Sequence, residues 1–513
     1  MAERIVKFRP NSINVDKPPA EVAENEYTSG QNIQFRNGYG RKSLGWEQIW
    51  PDVPADPQYL INAETGITNY WVACCDTGIY YTDTNTWFDI TPSNWVAPEK
   101  SNDWTGGILN GIAVFNNGQS TPWFWDPSNP GNIAAMVPGW PTGYTCKAIR
   151  PHKFHLVAMN IDTGANVLED QILWSSAAAP GSIPDSWTPL ATNDAGGLQL
   201  SATSGEIVDG HTLRGQFYIY KNKSMYRIQY VGGTFVFTLD KVFSQAGMLA
   251  RNCAVEYNGK AYVLSDSDII VHDGQNIQSL VDRRAKNFIW PQLDPVNFVN
   301  CHVAQDKLNN ELLFCLVAVG ETVPSVALVY ETVGGNIGVR DLGNADHVVS
   351  GIVSETGASE SWDSDPEPWD SDVTIWNEVT FNPSSAGVLV ADGAAKKVRF
   401  LDAAQNQDGE PVVMRIEKAY FDLGEPTMVK TITRIWPRVT ASDEAKITVR
   451  AGAAMTPQNA IEWSAPVTYF ANSDHYVDTF ATGRQLAVDV VSENGQAFQI
   501  EGFDVQVIKA GEY

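Results

Sequence analysis

The sequence predicts an all-β chain: a β-propeller-like central domain with an extended N-terminal arm and a C-terminal β-sandwich-like domain. Seventeen Trp, 18 Tyr and 20 Phe sit among 41 Gly and 28 Pro, as many short aromatic strands joined by tight turns require. Between about residues 66 and 350 one theme recurs: an alternating or aromatic run, a Gly/Asn/Asp turn, then a second run. GITNYWVACCDTGIYYTDTNTW shows it, as does GIAVFNNG followed by TPWFWDP, where Asn117-Gly118 is a hairpin signal. Helical periodicity does not persist beyond about ten residues, because glycine, proline or Asx turns interrupt the candidate windows.

Taken in order, residues 1–60 are polar, punctuated and poor in core signals, an arm expected to order against something else. Residues 61–354 form the propeller-like domain, in which HKFHLVAMNI, GQFYIYKNKSMYRIQYVGG, GKAYVLSDSDIIVHDGQ, NNELLFCLV and SVALVYETVGG continue the hairpin theme. At roughly 40 to 50 residues per four-stranded blade, this length supplies six or so blades. A pair of β-sandwiches with similar turn spacing is the alternative architecture. Residues 355–410 comprise an acidic, Trp-rich loop and a return to the propeller. That loop carries Trp362, Trp369 and Trp376 at seven-residue spacing, and its prolines argue against a helix, so the indoles read as anchors. Asp363, Asp365, Asp370 and Asp372 offer a calcium alternative, but the EF-hand spacing and loop glycine are missing. Residues 411–513 hold six strand-like runs, among them KTITRIWPRV, KITVRAG and QAFQIEGFDVQVI, enough for a small sandwich.

Sixty acidic against 35 basic residues give a formal charge of −25. Such a surface repels phosphate backbones and anionic membranes at long range, which disfavours tight non-specific nucleic-acid binding. The densest basic groups, Arg36 with Arg41 and Lys42, and Arg283 with Arg284 and Lys286, are too small to track phosphates and read as partner contacts or solvated turns. The six cysteines form no CxxC pair and lie partly in apolar runs, so they read as buried reduced thiols of a cytoplasmically made protein. No signal-peptide-like stretch follows the N-terminus, and no segment has the apolar length of a membrane span.

GxSxG, Walker, HExxH and Rossmann fingerprints are absent. His152 and His155, read on one alternating strand, point to opposite faces and make a poor metal pair, so each reads as a satisfied structural histidine. Paired carboxylates for glycoside hydrolysis have no visible separation in a sequence. TDTNTW lacks the glycine of a sialidase Asp-box. The expectation is therefore no enzyme, with no catalytic residue, metal or cofactor assigned.

The run SGQNIQFRNGYGRKSLGWEQI, with Asn32, Phe35, Arg36, Gly38, Arg41, Gly45 and Trp46, resembles the opening of tail hub or nozzle proteins of short-tailed bacteriophages, the packaged-DNA stabilisation or tail tubular type. In order along the chain, ILWSSAAAPGSIPDSW, IYKNKSMYRIQYVGGTFVF, the Trp362–Trp369 loop, YFDLGEPTMVKTITRIWPRV, GRQLAVDVV and IEGFDVQVIKAGEY look similar to further segments of that group. The resemblance implies a structural virion protein of the tail: one subunit of a ring, hexameric by expectation, docked on the adaptor (head-to-tail) ring and near tail fibre or tail needle proteins. Genomic DNA would be retained behind it and pass through it without sequence-specific binding. Six copies would carry roughly −150, and a lumen bearing part of that charge would let DNA slide without sticking. Phe35, Arg36, Arg41, Trp46, Trp362, Trp369 and Trp376 are the expected assembly or packing residues. The competing function is a carbohydrate-binding or glycan-degrading propeller module.

Overall fold

The computed structural model describes residues 3–64, 69–83, 85–232, 236–353, 386–441 and 444–512. Among them, seven radial units of four antiparallel strands can be followed. Blade 1 is Pro57–Glu64, Asn69–Cys75, Ile79–Thr82 and Trp87–Asp89. Blade 2 is Thr105–Leu109, Ile112–Asn116, Trp123–Trp125 and Ala135–Met136. Blade 3 is Thr145–His152, His155–Asp162, Val167–Trp174 and Gly196–Gln199. Blade 4 is Ile207–Leu213, Gln216–Lys221, Met225–Tyr230 and Phe237–Phe243. Blade 5 is Ala254–Tyr257, Lys260–Leu264, Ile269–His272 and Ile277–Ser279. Blade 6 is His302–Asp306, Glu311–Leu316, Val326–Glu331 and Ile337–Asp341. Blade 7 takes His347–Ile352, Ala386–Asp392 and Lys397–Ala404 from late in the chain. Its outermost strand comes from the arm: β5, Gly45–Gln48, pairs with Lys397–Ala404, placing Trp46 opposite Leu401. The inner strands of blades 2 to 7 lie beside one another in turn, blade 7 meets blade 1, and the inner strand of blade 1 meets Ile112–Asn116 of blade 2, so the ring closes. Seven blades replace the six or so expected from length.

Turn chemistry sets the pairing. Asn110 and Gly111 both hold positive φ, 54° and 86°, in the two-residue connection that a right-twisted hairpin favours. The Asn117-Gly118 signal instead opens a longer connection to Trp123–Trp125. Between blades, apolar faces interlock. In blades 1 and 2, Trp95 stacks 5.6 Å from both Trp104 and Trp123. Burial of the Trp104 and Trp123 side chains contributes about 1.5–3 kcal/mol each. All six cysteines are free and buried in these interfaces.

The arm is woven into the molecule. β1, Glu3–Phe8, pairs with the last strand, Phe498–Glu512. β2, Ser29–Gln31, pairs with Arg415–Phe421. β3, Ile33–Arg36, meets the outer strand of blade 6 at Val339, and β4, Tyr39–Lys42, joins β3 to Phe498–Glu512. One sheet thus runs from blade 6 through β3 and β4 into the C-terminal sandwich. Phe8, Ile13, Tyr27, Ile33 and Phe35 are all buried, contrary to the reading of an arm poor in core signals. Their strands pair with segments hundreds of residues away, so no local period announces them.

The sandwich packs β2, Arg415–Phe421, Gln485–Ser492 and Lys446–Ala454 against β1, Phe498–Glu512, Met428–Ala441 and Val477–Gly483. Ile416, Ile447, Val449, Val488 and Val490 belong to the same core as Ile432, Ile435, Ile500, Val505 and Val507. Lys418 fastens the arm here: its buried ammonium donates to the carbonyls of Val22, Ala23 and Glu26. Burial pulls its pKa down to about 8.

Candidate functional site

The expected residues lie where the arm, the propeller and the sandwich meet. The buried Phe35 ring stacks 6.1 Å from Tyr27. Arg36 forks onto Glu311 of blade 6, with Nε donating to Oε1 at 2.7 Å and Nη2 to Oε2 at 2.8 Å. Burial raises the Glu311 pKa and the guanidinium opposes that rise. Asp402 of blade 7 accepts from the Leu44 amide at 3.1 Å and from Arg340 at 3.2 Å, and lies 3.6 Å from Arg36. Arg41 is half-buried on β4, in register with Gln34 and Gln499. Trp46 is 6% exposed and packs with Leu313, Cys315, Val348 and Val390 between blades 6 and 7. Its indole donates to Asp408 at 3.4 Å, and the Arg399 guanidinium sits 4.6 Å above its ring. Trp362, Trp369, Trp376 and the four aspartates between them lie outside the described residues. Of the second basic group, Arg284 donates to Ser12 and to the Gly335 carbonyl, and Lys286 pairs with Asp268, so both make contacts within the chain.

A polar hub links the inner strands of the blades. Arg150, on the inner strand of blade 3, donates to Asp209 of blade 4 through Nε at 2.9 Å and Nη2 at 2.5 Å. It also reaches Asn252 Oδ1 at 2.6 Å and the Gly106 carbonyl at 3.0 Å. Burial opposes both charges, yet each holds the other ionised, with Arg150 above and Asp209 below its ordinary range. Tyr59 of blade 1 lies against the guanidinium. His347 and His302 continue the hub, their rings 5.4 Å apart. Leu60 N–H donates to His347 Nδ1 at 3.2 Å, and Val348 N–H donates to His302 Nε2 at 3.0 Å. Both bonds require neutral imidazoles, and burial lowers His302 to about 4 and His347 further below its ordinary value. This hub is not legible in the sequence, since its members are separated by tens to hundreds of residues.

His152 and His155 also differ from expectation. They face each other across the Lys153-Phe154 turn, closing two strands where one had been expected. Each has its own partner: His152 Nδ1 meets Thr212 Oγ1 at 3.1 Å, and His155 Nδ1 meets the Ser175 carbonyl at 2.9 Å. Among the described residues, no three His, Cys, Asp or Glu side chains gather as metal ligands.

A cleft of about 470 Å³ opens beside blades 2 and 3, lined by Glu99, Asp103, Asn117, Lys147, Asp162 and Arg251 among others. Its cations are engaged: Arg251 pairs with Asp103 and donates to the Lys147 carbonyl, and Lys147 bonds Glu206 at 2.6 Å. Among the described residues, no aromatic ring lines it.

These sheets define a β-propeller protein with a fused β-sandwich. No protein-family model and no curated protein matches the chain. Among solved structures it is similar to the β-propeller domain of Cps50 (Swd1) from Myceliophteria thermophila, at 8% identity and a TM-score of 0.40, over 70% of this chain and 100% of that one. The WD40 domain of Pan2 from Neurospora crassa gives 10% identity and a TM-score of 0.36, over 71% and 97%. An extracellular domain from B. thetaiotaomicron, described as part of a one component system, gives 8% and 0.39 over 85% of this chain. The chain spans 47% of that last structure.

Proposed function

We propose that this protein is a structural subunit of a bacteriophage tail, one copy in a nozzle or hub ring that continues the DNA channel, helps retain the packaged genome and lets it pass on ejection. The observation that carries the reading is the position of the run from Asn32 to Trp46. The segment that most resembles nozzle openings is also the one that joins blade 6, blade 7 and the sandwich through β3, β4 and β5. A subunit holding back a compressed genome has to transmit load without hinging, and a continuous hydrogen-bonded sheet does that better than a flexible linker. The hub formed by Arg150, Asp209, Tyr59, His302 and His347 ties inner strands of the blades together, and on this reading the conduit lies between copies. The net charge of −25 suits a lumen that DNA crosses without adhering. On this reading no residue is catalytic, and the partners are further copies, an adaptor ring and a tail fibre or needle protein.

The glycan-binding alternative has the polar cleft beside blades 2 and 3 as its natural site. Among the described residues that cleft carries no aromatic side chain, unlike the mostly apolar and aromatic lining that small-molecule pockets usually have. Mass spectrometry of purified virions, together with an amber mutant in this gene, tests the proposal. The expected result is the protein in the tail and leaking, non-infectious particles in the mutant. Its absence from virions, or polysaccharide depolymerisation by the purified chain, would overturn it.

A further inference from the structure

The outer face of the sandwich sheet made by β1, Phe498–Glu512, Met428–Ala441 and Val477–Gly483 carries exposed aromatic and basic side chains. Strand alternation sends Val477, Thr479 and Ala481 inward and Asp478, Phe480 and Thr482 outward. Phe480 is left 69% exposed, beside Tyr476 at 44%. On the neighbouring strand, Arg434 pairs with Asp478 at 2.6 Å and lies over the rings of Tyr476 and Trp436, at 3.8 and 5.9 Å. Ile5 on β1 extends the patch at 56% exposure. Lys7, Arg9, Arg434 and Arg438 gather here against Asp478, Asp504 and Glu501, a small basic excess on a chain of −25. Exposed aromatics with a stacked arginine are the side chains that anchor protein interfaces.

We propose that this face docks a second copy of the chain, against the acidic surface of that copy's propeller half. Charge selects the occupant. The described residues within 61–410 hold 19 Lys and Arg against 31 Asp and Glu, so a basic, aromatic face meets its complement elsewhere on the same molecule. Two different surfaces in contact make a heterologous interface, the kind that propagates head to tail and closes into a ring. This deepens the assembly reading and rests on it for the expectation that copies meet.

Sedimentation velocity of the full chain over a wide concentration range, at low and high salt, tests it. The wild type should self-associate, less strongly as salt rises. Phe480→Glu should weaken association by about thirtyfold or more with an unchanged melting curve, while Phe480→Leu retains most of it. A wild type that stays monomeric throughout would overturn the inference, as would a Phe480→Glu variant that associates like wild type. Phe480-dependent binding of anionic vesicles or duplex DNA would assign the face to another partner and overturn it too. The two readings fail separately: Phe480-dependent association in a protein absent from virions sinks only the tail reading. A tail ring with Phe480 in solvent sinks only this interface.

Discussion

In residues 61–410 basic side chains are outnumbered 39 to 19, a balance of −20, while residues 1–60 and 411–513 together hold 16 basic against 21 acidic, a balance of −5. The two regions also close differently. The propeller closes radially, with seven sheets packed around a buried ion pair and neutral histidines, whereas the sandwich is completed by β1 and β2 from the far end of the chain. The arm links the two, since β5 finishes blade 7 and β3 and β4 bridge blade 6 to the sandwich. Stability in the propeller therefore depends on the hub, and stability in the sandwich on the arm.

Removing residues 1–48 should have the largest effect, because it takes β1 to β5 from three sheets at once. Near-ultraviolet circular dichroism should show no cooperative transition; a cooperatively folding remainder would mean that blade 7 closes without β5. Asp209→Ala strands a buried guanidinium and should cost about 3–5 kcal/mol in urea unfolding. The double change Arg150→Met with Asp209→Leu should recover most of that loss, and equal damage from both would remove the charge pair from the account. Trp46→Ala opens a cavity between blades 6 and 7 and should cost about 3 kcal/mol, read by the same denaturation. Unchanged stability would count against the arm as a clamp.

Acid should act on the hub. Burial depresses the His302 pKa from 6.5 to about 4, so the unfolded chain binds protons first as pH falls. Stability present above about 6.5 should be lost progressively towards about 4, by on the order of 3 kcal/mol per such histidine. His302→Gln should flatten that slope, and an unaltered pH profile would show that other groups set it. The smallest effect is local. Gly111→Ala, at a φ of 86°, should cost about 1–2 kcal/mol without touching the hub or the arm.

Much of the propeller was legible because hairpins are local. Runs such as Ile112–Asn116 and Lys260–Leu264 show apolar or aromatic strands beside Asn-Gly turns, and both fold as strands. The blade number was not legible: the outer strands Trp87–Asp89, Ala135–Met136 and Ile277–Ser279 are only two or three residues long, and β5 lies about 300 residues from the rest of its blade. The Lys153-Phe154 turn lacks glycine and asparagine, so His152 and His155 read as one strand. Among the candidate site residues, Phe35, Arg36 and Trp46 could be singled out by their motif. Glu311 and Asp408, the partners of Arg36 and Trp46, could not, because contacts between segments hundreds of residues apart leave no spacing to read.

Cryo-electron microscopy of the intact virion tail tests the tail reading most directly. The account predicts a ring of this chain around the DNA path, with an acidic lumen lying between copies and Arg150 paired with Asp209 inside each copy. A tail lacking this chain, or a ring whose lumen is neutral or basic, would contradict it.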